Sequence, residues 1–214
     1  QYRGRGVAER IDAAMKRAGC HEFSFAPESG DVRVLKSIKK QVNLDNLYAS
    51  AKTAKDAGIN VGAFFIVGFP EDTYGSILNT YKAIAKCAIV GFTACNVNPY
   101  SPQPNTASFN ALKAQGKIGE LNDGYFMNLF LFQDLARPKF SYNDRFGSIQ
   151  IAILVFIGFV IFYSLYFLTR PWRIVRLFRD LFSAKKTSSN KAVRALSNLI
   201  KDFRSLGRAP ATRP

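Results

Sequence analysis

A carboxylate, a hydroxyl and a glycine follow one another in Glu28-Ser29-Gly30, directly after a short aromatic segment. A carboxylate accepts two hydrogen bonds from a ribose diol, a serine hydroxyl adds a donor, and glycine lets the backbone approach a ligand. Ligands of parallel α/β proteins bind at the carboxyl ends of the strands, where this triplet is expected. A Glu-Ser-Gly segment is more often a plain turn than a ligand site, and the residues alone leave both interpretations open.

A second candidate site follows the apolar segment 59–67, which predicts a buried strand. Gly68 would let a flat ring lie against the backbone, and Ile66 would form an apolar wall. Glu71 and Asp72 stand where the next helix begins, and the helix dipole favours carboxylates there. Helix capping alone would also explain these two acids.

The cysteines Cys20, Cys87 and Cys95 are not spaced like a metal site, and their odd number argues against a disulfide framework. We expect buried packing roles for them in a reducing compartment. His21 follows Cys20 directly, and a metal role for this pair is the less favoured alternative. No metal-ligating residue is therefore predicted in this chain.

Hydrophobic periodicity and turn residues predict alternating helices and strands. Helices are predicted at 7–18, 31–38, 44–57, 73–90 and 125–135, strands at 21–26, 59–67 and 92–97, and a loop at 101–123. This order indicates parallel βαβ units and an α/β fold. Three strands cannot close a barrel, so we expect the missing strands to precede Gln1, in a chain that is a fragment of a longer one.

A long apolar segment follows, because no charged residue lies between Arg145 and Arg170. Those 24 residues would extend about 36 Å as a helix, against about 30 Å of bilayer hydrocarbon. The segment 146–169 therefore predicts a membrane helix, transmembrane or monotopic. A buried core helix is the alternative.

The chain ends in a basic tail, in which 12 Lys and Arg residues oppose two Asp residues over 170–214. Between 171 and 182, Arg173, Arg176 and Arg179 form a stripe among large apolar side chains, which is typical of a helix at a lipid surface. A second amphipathic helix is predicted from the apolar side chains Val193, Leu196, Ile200 and Phe203. Lipid suits this interleaving better than nucleic acid does, so the predicted partner is a membrane, contacted through 146–182.

Four segments resemble the radical S-adenosylmethionine (SAM) superfamily: "FAPESG", "VLKSIKKQVNLDNL", "AGINVGAFFIVGFPEDT" and "NPYSPQPNT". The resemblance covers about residues 8–109 and is closest to the subgroup with an N-terminal cobalamin-binding domain. In this family the fifth strand carries Gly-x-Ile-x-Gly-x-x-Glu. Here Ile66, Gly68 and Glu71 match, while Phe64 replaces the first glycine. The family's Pro-x-Pro-Gly-Thr loop is matched by Pro102, Pro104 and Thr106, with Asn105 for glycine.

The resemblance implies roles for individual residues, while the catalytic residues stay unknown. Glu28 would contact the SAM ribose and Ser29 the methionine end, with Gly30 completing the turn. Lys40 would reach the SAM carboxylate, although Lys36 and Lys39 are equally suitable. The remaining implied contacts are Ile66, Gly68 and Glu71 beside the adenine, and Asn96 and Asn98 facing substrate or SAM.

The family also binds a [4Fe–4S] cluster through CxxxCxxC, which this sequence lacks. The cluster loop and any cobalamin domain are expected before Gln1, so the N-terminal part of the same polypeptide is a predicted partner, and this chain alone should be inactive. We expect the second half of a radical SAM barrel at 1–123, a helical connector at 124–145, the membrane helix at 146–169 and the basic tail at 170–214.

The predicted function is that of a membrane-associated radical SAM enzyme, possibly a cobalamin-dependent methyltransferase, acting on a small molecule or a lipid. Its barrel would face the cytoplasm. Because the basic tail also favours the cytoplasmic side, the apolar helix either spans against the positive-inside rule or bends at Gly158 and lies in one leaflet. A non-catalytic membrane adaptor and an enzyme with a nucleic-acid-binding tail are the alternative functions.

Overall fold

The computed structural model describes residues 5–130 and 140–175, and the chain forms two compact units, Gln1–Leu165 and Tyr166–Pro214. The strands are β1 (Glu22–Glu28), β2 (Asn60–Val67) and β3 (Ala94–Pro99). The helices are α1 (Arg5–Arg17), α2 (Val32–Ser37), α3 (Leu44–Asp56), α4 (Tyr74–Val90), α5 (Ala107–Ala114), α6 (Asp123–Phe130) and α7 (Ser148–Leu168).

The three strands form a parallel sheet in the order β1-β2-β3. Phe64 pairs in register with Asn96 and Ile66 with Asn98. The register of β1 against β2 shifts between Phe25 and Glu28. The α/β class and the parallel βαβ connections predicted from the sequence are therefore confirmed.

The two faces of the sheet differ in their burial. On one face Phe65, Val67 and Val97 are at most 1% exposed, beneath helices that include α4. The opposite face carries side chains that are only half-buried, including Phe64 and Asn96. The packed face forms the core. The half-open face and the carboxyl ends of the strands remain accessible to a ligand.

Short polar residues begin the helices that lie behind the sheet. Asp31 caps α2, Asn43 caps α3, and Thr73 caps α4 in a reciprocal capping box with Ser76. Each side chain accepts a hydrogen bond from a backbone N–H that has no partner within its helix. These caps fix where each helix starts, and therefore fix the turns between the strands and the helices.

Helix α7 is apolar on all sides but is buried on one side only. Ile151, Val155 and Phe162 are at most 2% exposed. A methyl group on Gly158 would lie 3.1 Å from both methyl groups of Val97, so the absence of a side chain there permits close packing on β3. The helix is continuous through Gly158, the position at which one of the two predicted arrangements required a bend.

Most predicted elements are present, with shifts of a few residues at their ends. Strand β1 continues through Pro27 to Glu28, and β3 runs on to Pro99, beyond the predicted ends. The predicted loop 101–123 is wrong in part, because Thr106 caps α5 and α5 buries Phe109 and Leu112. The end of the predicted helix 125–135, the arginine stripe beyond Val175 and the second amphipathic helix lie outside the described residues.

Candidate functional site

Glu28 ends β1 in an unusual backbone conformation, with a φ of 66°. A residue with a side chain adopts this left-handed region only when its surroundings hold it there. The Glu28 carboxylate accepts a hydrogen bond from Lys40, whose Nζ lies 2.6 Å from Oε1. Both side chains are partly exposed, at 21% for Glu28 and 34% for Lys40. The carboxylate keeps unused lone pairs that a ligand hydroxyl can reach.

Helix α4 holds the turn that follows Glu28. The Ser29 hydroxyl lies 3.2 Å from the Thr80 hydroxyl, which also accepts the backbone N–H of Gly30 at 3.0 Å. A methyl group on Gly30 would overlap the carbonyl oxygen of Asn79. Ser29 is fully buried and Gly30 packs against the Asn79 backbone, so packing on α4 explains both residues.

The carboxylate of Asp31 also ties the turn after Glu28 to α4. It accepts the backbone N–H groups of Arg33 and Val34, and Asn79 donates its side-chain amide at 2.9 Å. Burial alone would raise the pKa of Asp31, but the hydrogen bonds from Asn79 and Arg33 outweigh it and lower that pKa. The turn is thereby tied to α4 by an ionised group.

The loop after β2 surrounds a second buried carboxylate, that of Asp72. Asp72 accepts the backbone N–H groups of Gly68 at 2.9 Å and Phe69 at 3.0 Å, and Ser76 donates its hydroxyl at 2.6 Å. Asp72 is 1% exposed, and burial raises its pKa despite these hydrogen bonds. The acid predicted as a helix cap therefore shapes the Gly68–Phe69 backbone from inside.

The segment that leads into α7 holds the same loop from its other side. The side-chain amide of Asn143 donates to the carbonyl oxygens of Phe69 at 2.6 Å and of Asp72 at 3.0 Å. Gly68 has a φ of 91°, and a methyl group there would lie 2.6 Å from Cδ1 of Ile151. Gly68 therefore faces α7 on this side, a neighbour that the strand pattern did not predict.

A cavity of about 540 Å³ lies at the carboxyl ends of the strands. Of the predicted residues, it brings together Glu28, Lys40, Ile66 and Glu71. Lys39 also lines it, at a φ of 56°. The cavity is completed by polar and aromatic residues, among them Phe69, Tyr100, Ser101, Gln103, Thr106, Ser108 and Gln115. Its volume and mixed lining are typical of a small-molecule site.

The other predicted residues lie around this cavity and not on its walls. Asn96 and Asn98 are half-buried on the half-open face of the sheet, beside Phe64 and Ile66 in the register. Lys36 is exposed on α2. The two asparagines lie on β3, with β2 between them and β1, so a ligand that also contacts β1 would have to extend across the sheet to reach them.

Several contributors to the cavity were not predicted as site residues. The Tyr100 ring stacks near Phe69, with 5.0 Å between centroids, and its hydroxyl lies 2.6 Å from the Ser108 hydroxyl. The signal for Tyr100 was its place after β3, next to Pro99. Thr80 and Asn143 gave no such signal, because each acts on a turn that is distant from it in sequence.

The described residues hold no group of three metal-ligating side chains. Cys87 and Cys95 are fully buried, and burial raises the pKa of Cys87 to about 12 and that of Cys95 well above its ordinary value. A thiolate is required for iron ligation, and burial disfavours it. These two cysteines do not fit a [4Fe–4S] cluster, and their burial agrees with the sequence analysis. Cys20 is only partly buried, so the buried position expected for it is not observed.

Comparison with known proteins relates the first part of the chain to a known superfamily. Residues 3–84 match the Radical SAM superfamily. The chain is 36% identical over 81 residues to an uncharacterized methyltransferase of Pyrococcus horikoshii, a stretch that covers 38% of this chain and 18% of that protein. It is 44% identical over 63 residues to the cytidylyl-2-hydroxyethylphosphonate methyltransferase of Streptomyces wedmorensis, covering 29% and 12%.

A longer but weaker similarity, 26% over 125 residues, relates the chain to the tRNA-2-methylthio-N(6)-dimethylallyladenosine synthase of Dehalococcoides mccartyi, covering 57% of this chain and 28% of that protein. The chain thus spans less than a third of the length of these relatives. The match over residues 3–84 confirms the resemblance to the radical SAM superfamily seen in the sequence.

Proposed function

We propose that this chain supplies the adenosine-binding part of the SAM site in a radical SAM methyltransferase. One observation carries the proposal: Glu28, in a strained left-handed conformation, shares a cavity with Ile66 and Glu71 at the carboxyl ends of parallel strands. Strain of this kind persists where the surroundings impose it, and it collects at functional sites. The relatives named as methyltransferases support methyl transfer as the reaction.

SAM fits the residues that are present. Glu28 would accept the two ribose hydroxyls, and Ile66 with the adjacent loop backbone would contact the adenine. Lys40 neutralises one oxygen of Glu28, and its ammonium has further donors for the SAM carboxylate. These side chains bind and orient SAM and help to exclude water. When bound, SAM would supply the methyl group or, on one-electron reduction with methionine as the leaving group, the 5′-deoxyadenosyl radical.

The described residues provide no group of ligands for a [4Fe–4S] cluster. We infer that the sheet is part of a radical SAM barrel whose cluster and cobalamin are bound by another part of the polypeptide. The same inference makes the N-terminal part of the polypeptide a partner that completes the site.

We further propose that α7 associates with a membrane. Among the described residues it is the helix that is long and apolar enough to cross a bilayer. Its composition also suits a lipid surface, and a hydrophobic or lipid substrate would follow from that location. The free thiols Cys20, Cys87 and Cys95 favour a reducing, cytoplasmic setting for the sheet.

The adenosine site can be tested without the cluster. Methylthioadenosine keeps the adenine and ribose of SAM but lacks the amino acid group, so it probes this chain alone. We expect titration calorimetry on the full chain to show binding. Glu28→Gln should weaken it about 10-fold or more, because a hydrogen bond to a charged group contributes about 1.5–3 kcal/mol.

Lys113→Gln serves as the control, since Lys113 lies on α5 but does not line the cavity. If methylthioadenosine fails to bind, or binds the Glu28→Gln variant as tightly as the unmodified chain, the adenosine assignment is wrong. A chain that binds vesicles but not methylthioadenosine would instead support the membrane adaptor.

A further inference from the structure

Helix α7 carries two apolar stripes that differ in burial. The inner stripe, Ile151, Val155, Gly158 and Phe162, is buried. The outer stripe consists of Ile149, Ile153, Phe156 and Val160, which are 45–68% exposed. The stripes have the same spacing and are offset by two residues, which is about 200° around a helix. They therefore lie on opposite sides of α7.

The inner stripe is docked on β3 and α4 by specific contacts. Gly158 packs against Val97 of β3 and Ile84 of α4. Tyr81 of α4 donates its hydroxyl to the carbonyl oxygen of Leu154 at 2.7 Å. This hydrogen bond joins α4 to the α7 backbone one helical turn before Gly158. The docked length runs from Ile151 to Phe162, about 16 Å of helix.

Docking along the helix is incompatible with spanning. A spanning helix needs about 30 Å of its length in hydrocarbon. With the docking intact, α4 would be carried to the same depth, together with its exposed Lys82 and Lys86, and Lys86 already pairs with Asp45 at 3.2 Å. Charged side chains at that depth are strongly disfavoured. A docked α7 must therefore stay at the level of the water-exposed α4.

We propose that α7 lies flat in one leaflet, with its inner stripe packed on β3 and α4 and its outer stripe in lipid. This inference rests on the membrane association proposed above and specifies the orientation of α7 relative to the bilayer. Lipid suits the outer stripe better than a second copy does, because the residues after α7 are basic and an exposed Trp172 follows it. Arginine and tryptophan at the end of an apolar helix fit anionic headgroups.

The position of α7 relative to the cavity gives this arrangement a consequence. Ile151 of the inner stripe contacts Gly68, which directly follows Val67 and precedes the cavity residue Phe69. Helix α7 therefore begins beside the cavity loop, and its outer stripe starts at Ile149. A leaflet that holds the outer stripe would lie on the far side of α7 from the cavity loop, at a distance of one helix diameter, roughly 10 Å.

The first test measures vesicle binding of the full chain to phosphatidylcholine vesicles containing 25% phosphatidylglycerol. We expect Phe156→Glu to reduce binding at least 10-fold. Val32→Glu is the matched control, because Val32 is 64% exposed on α2, away from α7, and it should bind like the unmodified chain. Equal vesicle binding of the Phe156→Glu variant, or no binding of the unmodified chain, would overturn the proposal. A dimer of the unmodified chain in analytical ultracentrifugation would instead show that a second copy covers the outer stripe.

The second test separates a flat helix from a spanning one. In a Cys20→Ser background, Ser148→Cys and Thr169→Cys place thiols at the two ends of α7, while Cys87 and Cys95 are buried. A membrane-impermeant maleimide added outside sealed vesicles should label both ends. Labelling of one end, or of neither, contradicts the flat arrangement. Methylthioadenosine binding of the same samples is read separately, so failure of the SAM assignment is distinguishable.

Discussion

Two turns at the cavity are built on the same plan but differ in charge. After β1, the carboxylate of Asp31 accepts two backbone N–H groups, and after β2 the carboxylate of Asp72 does the same. Both residues are at most 3% exposed. Yet the pKa of Asp31 is lowered, whereas the pKa of Asp72 is raised.

The difference follows from the groups that face each carboxylate. Asp31 has the Arg33 guanidinium at 3.4 Å and the Asn79 amide, and these favour the ionised form. For Asp72, burial outweighs the Ser76 hydroxyl and the two N–H groups, and the charge of Asp31 adds to the increase. The first turn therefore depends on a charge, while the second needs only the hydrogen bonds that a neutral group can also make.

The largest effect is expected at the backbone contact that ties the first turn to α4. In Gly30→Ala the new methyl group would overlap the Asn79 carbonyl, and neither backbone can move without breaking the Thr80 hydrogen bonds. We expect a loss of about 3 kcal/mol or more in the free energy of unfolding, at the upper end for overpacking. Urea denaturation of the full chain measures it.

Gly75→Ala is the matched control for this prediction. Gly75 lies in the first turn of α4, and a methyl group there meets only Thr73 at an ordinary 3.7 Å. Alanine is the better helix former, so this variant should gain up to about 1 kcal/mol. If Gly30→Ala were tolerated as well as Gly75→Ala, the close approach to α4 would be wrong.

A smaller loss is expected when the charge of Asp31 is removed. In Asp31→Asn the new amide would oppose the Asn79 amide and lose the Arg33 interaction, so we expect a loss of about 1–3 kcal/mol near neutral pH. Adding Asn79→Asp reverses the polarity of this hydrogen bond and should recover part of the loss. A double variant no more stable than Asp31→Asn would show that this hydrogen bond contributes little.

Sequence reasoning found the parts of the site that are local in sequence. Asp31, Asn43 and Thr73 are recognisable caps because a cap and its helix are neighbours in the chain. The left-handed Asn105 was also foreseeable, since asparagine replaces a glycine of the family there and tolerates its φ of 66°. These signals located the turns and the residues next to them.

The contacts that shape the turns are long-range, and no local pattern encodes them. Thr80 is 50 residues from Gly30, and Asn143 is 74 residues from Phe69. The interpretation of Ser29 and Gly30 as ligand contacts depended on what faced them, which is α4 in this structure. Helix α7 was predicted as a membrane element from composition, but composition cannot show that one of its sides is docked.

At the second turn a substitution should affect ligand binding more than folding. In Gly68→Ala the methyl group meets the flexible end of Ile151 at 2.6 Å, and the φ of 91° adds about 1–2 kcal/mol of backbone strain. We expect weaker methylthioadenosine binding by several-fold with a modest loss of stability. Ile151→Val in the same chain should recover the steric part only. Full recovery would show that the backbone conformation is unimportant.

The smallest effect is expected for Asp72→Asn, and it tests the charge difference between the turns directly. Asparagine can still accept the Gly68 and Phe69 N–H groups and can donate to the Ser76 hydroxyl, so we expect a change within about 1 kcal/mol near pH 7. The folded pKa of Asp72 lies above its ordinary value of 3.8. Its protonation therefore stabilises the fold fully below the unfolded pKa, and this contribution is lost as the pH rises through the folded pKa. The unmodified chain should thus gain stability relative to Asp72→Asn as the pH falls from 7 towards 4.

The corresponding comparison for Asp31→Asn should run the opposite way, since the lowered pKa of Asp31 gives stability that is present above the unfolded pKa and lost in acid. Urea denaturation of the three chains measures both trends, from pH 7 down to pH 4 for Asp72 and from pH 4 downward for Asp31, where the lowered pKa places the loss. Parallel trends in the two variants would contradict the assignment of one charged and one readily neutralised turn.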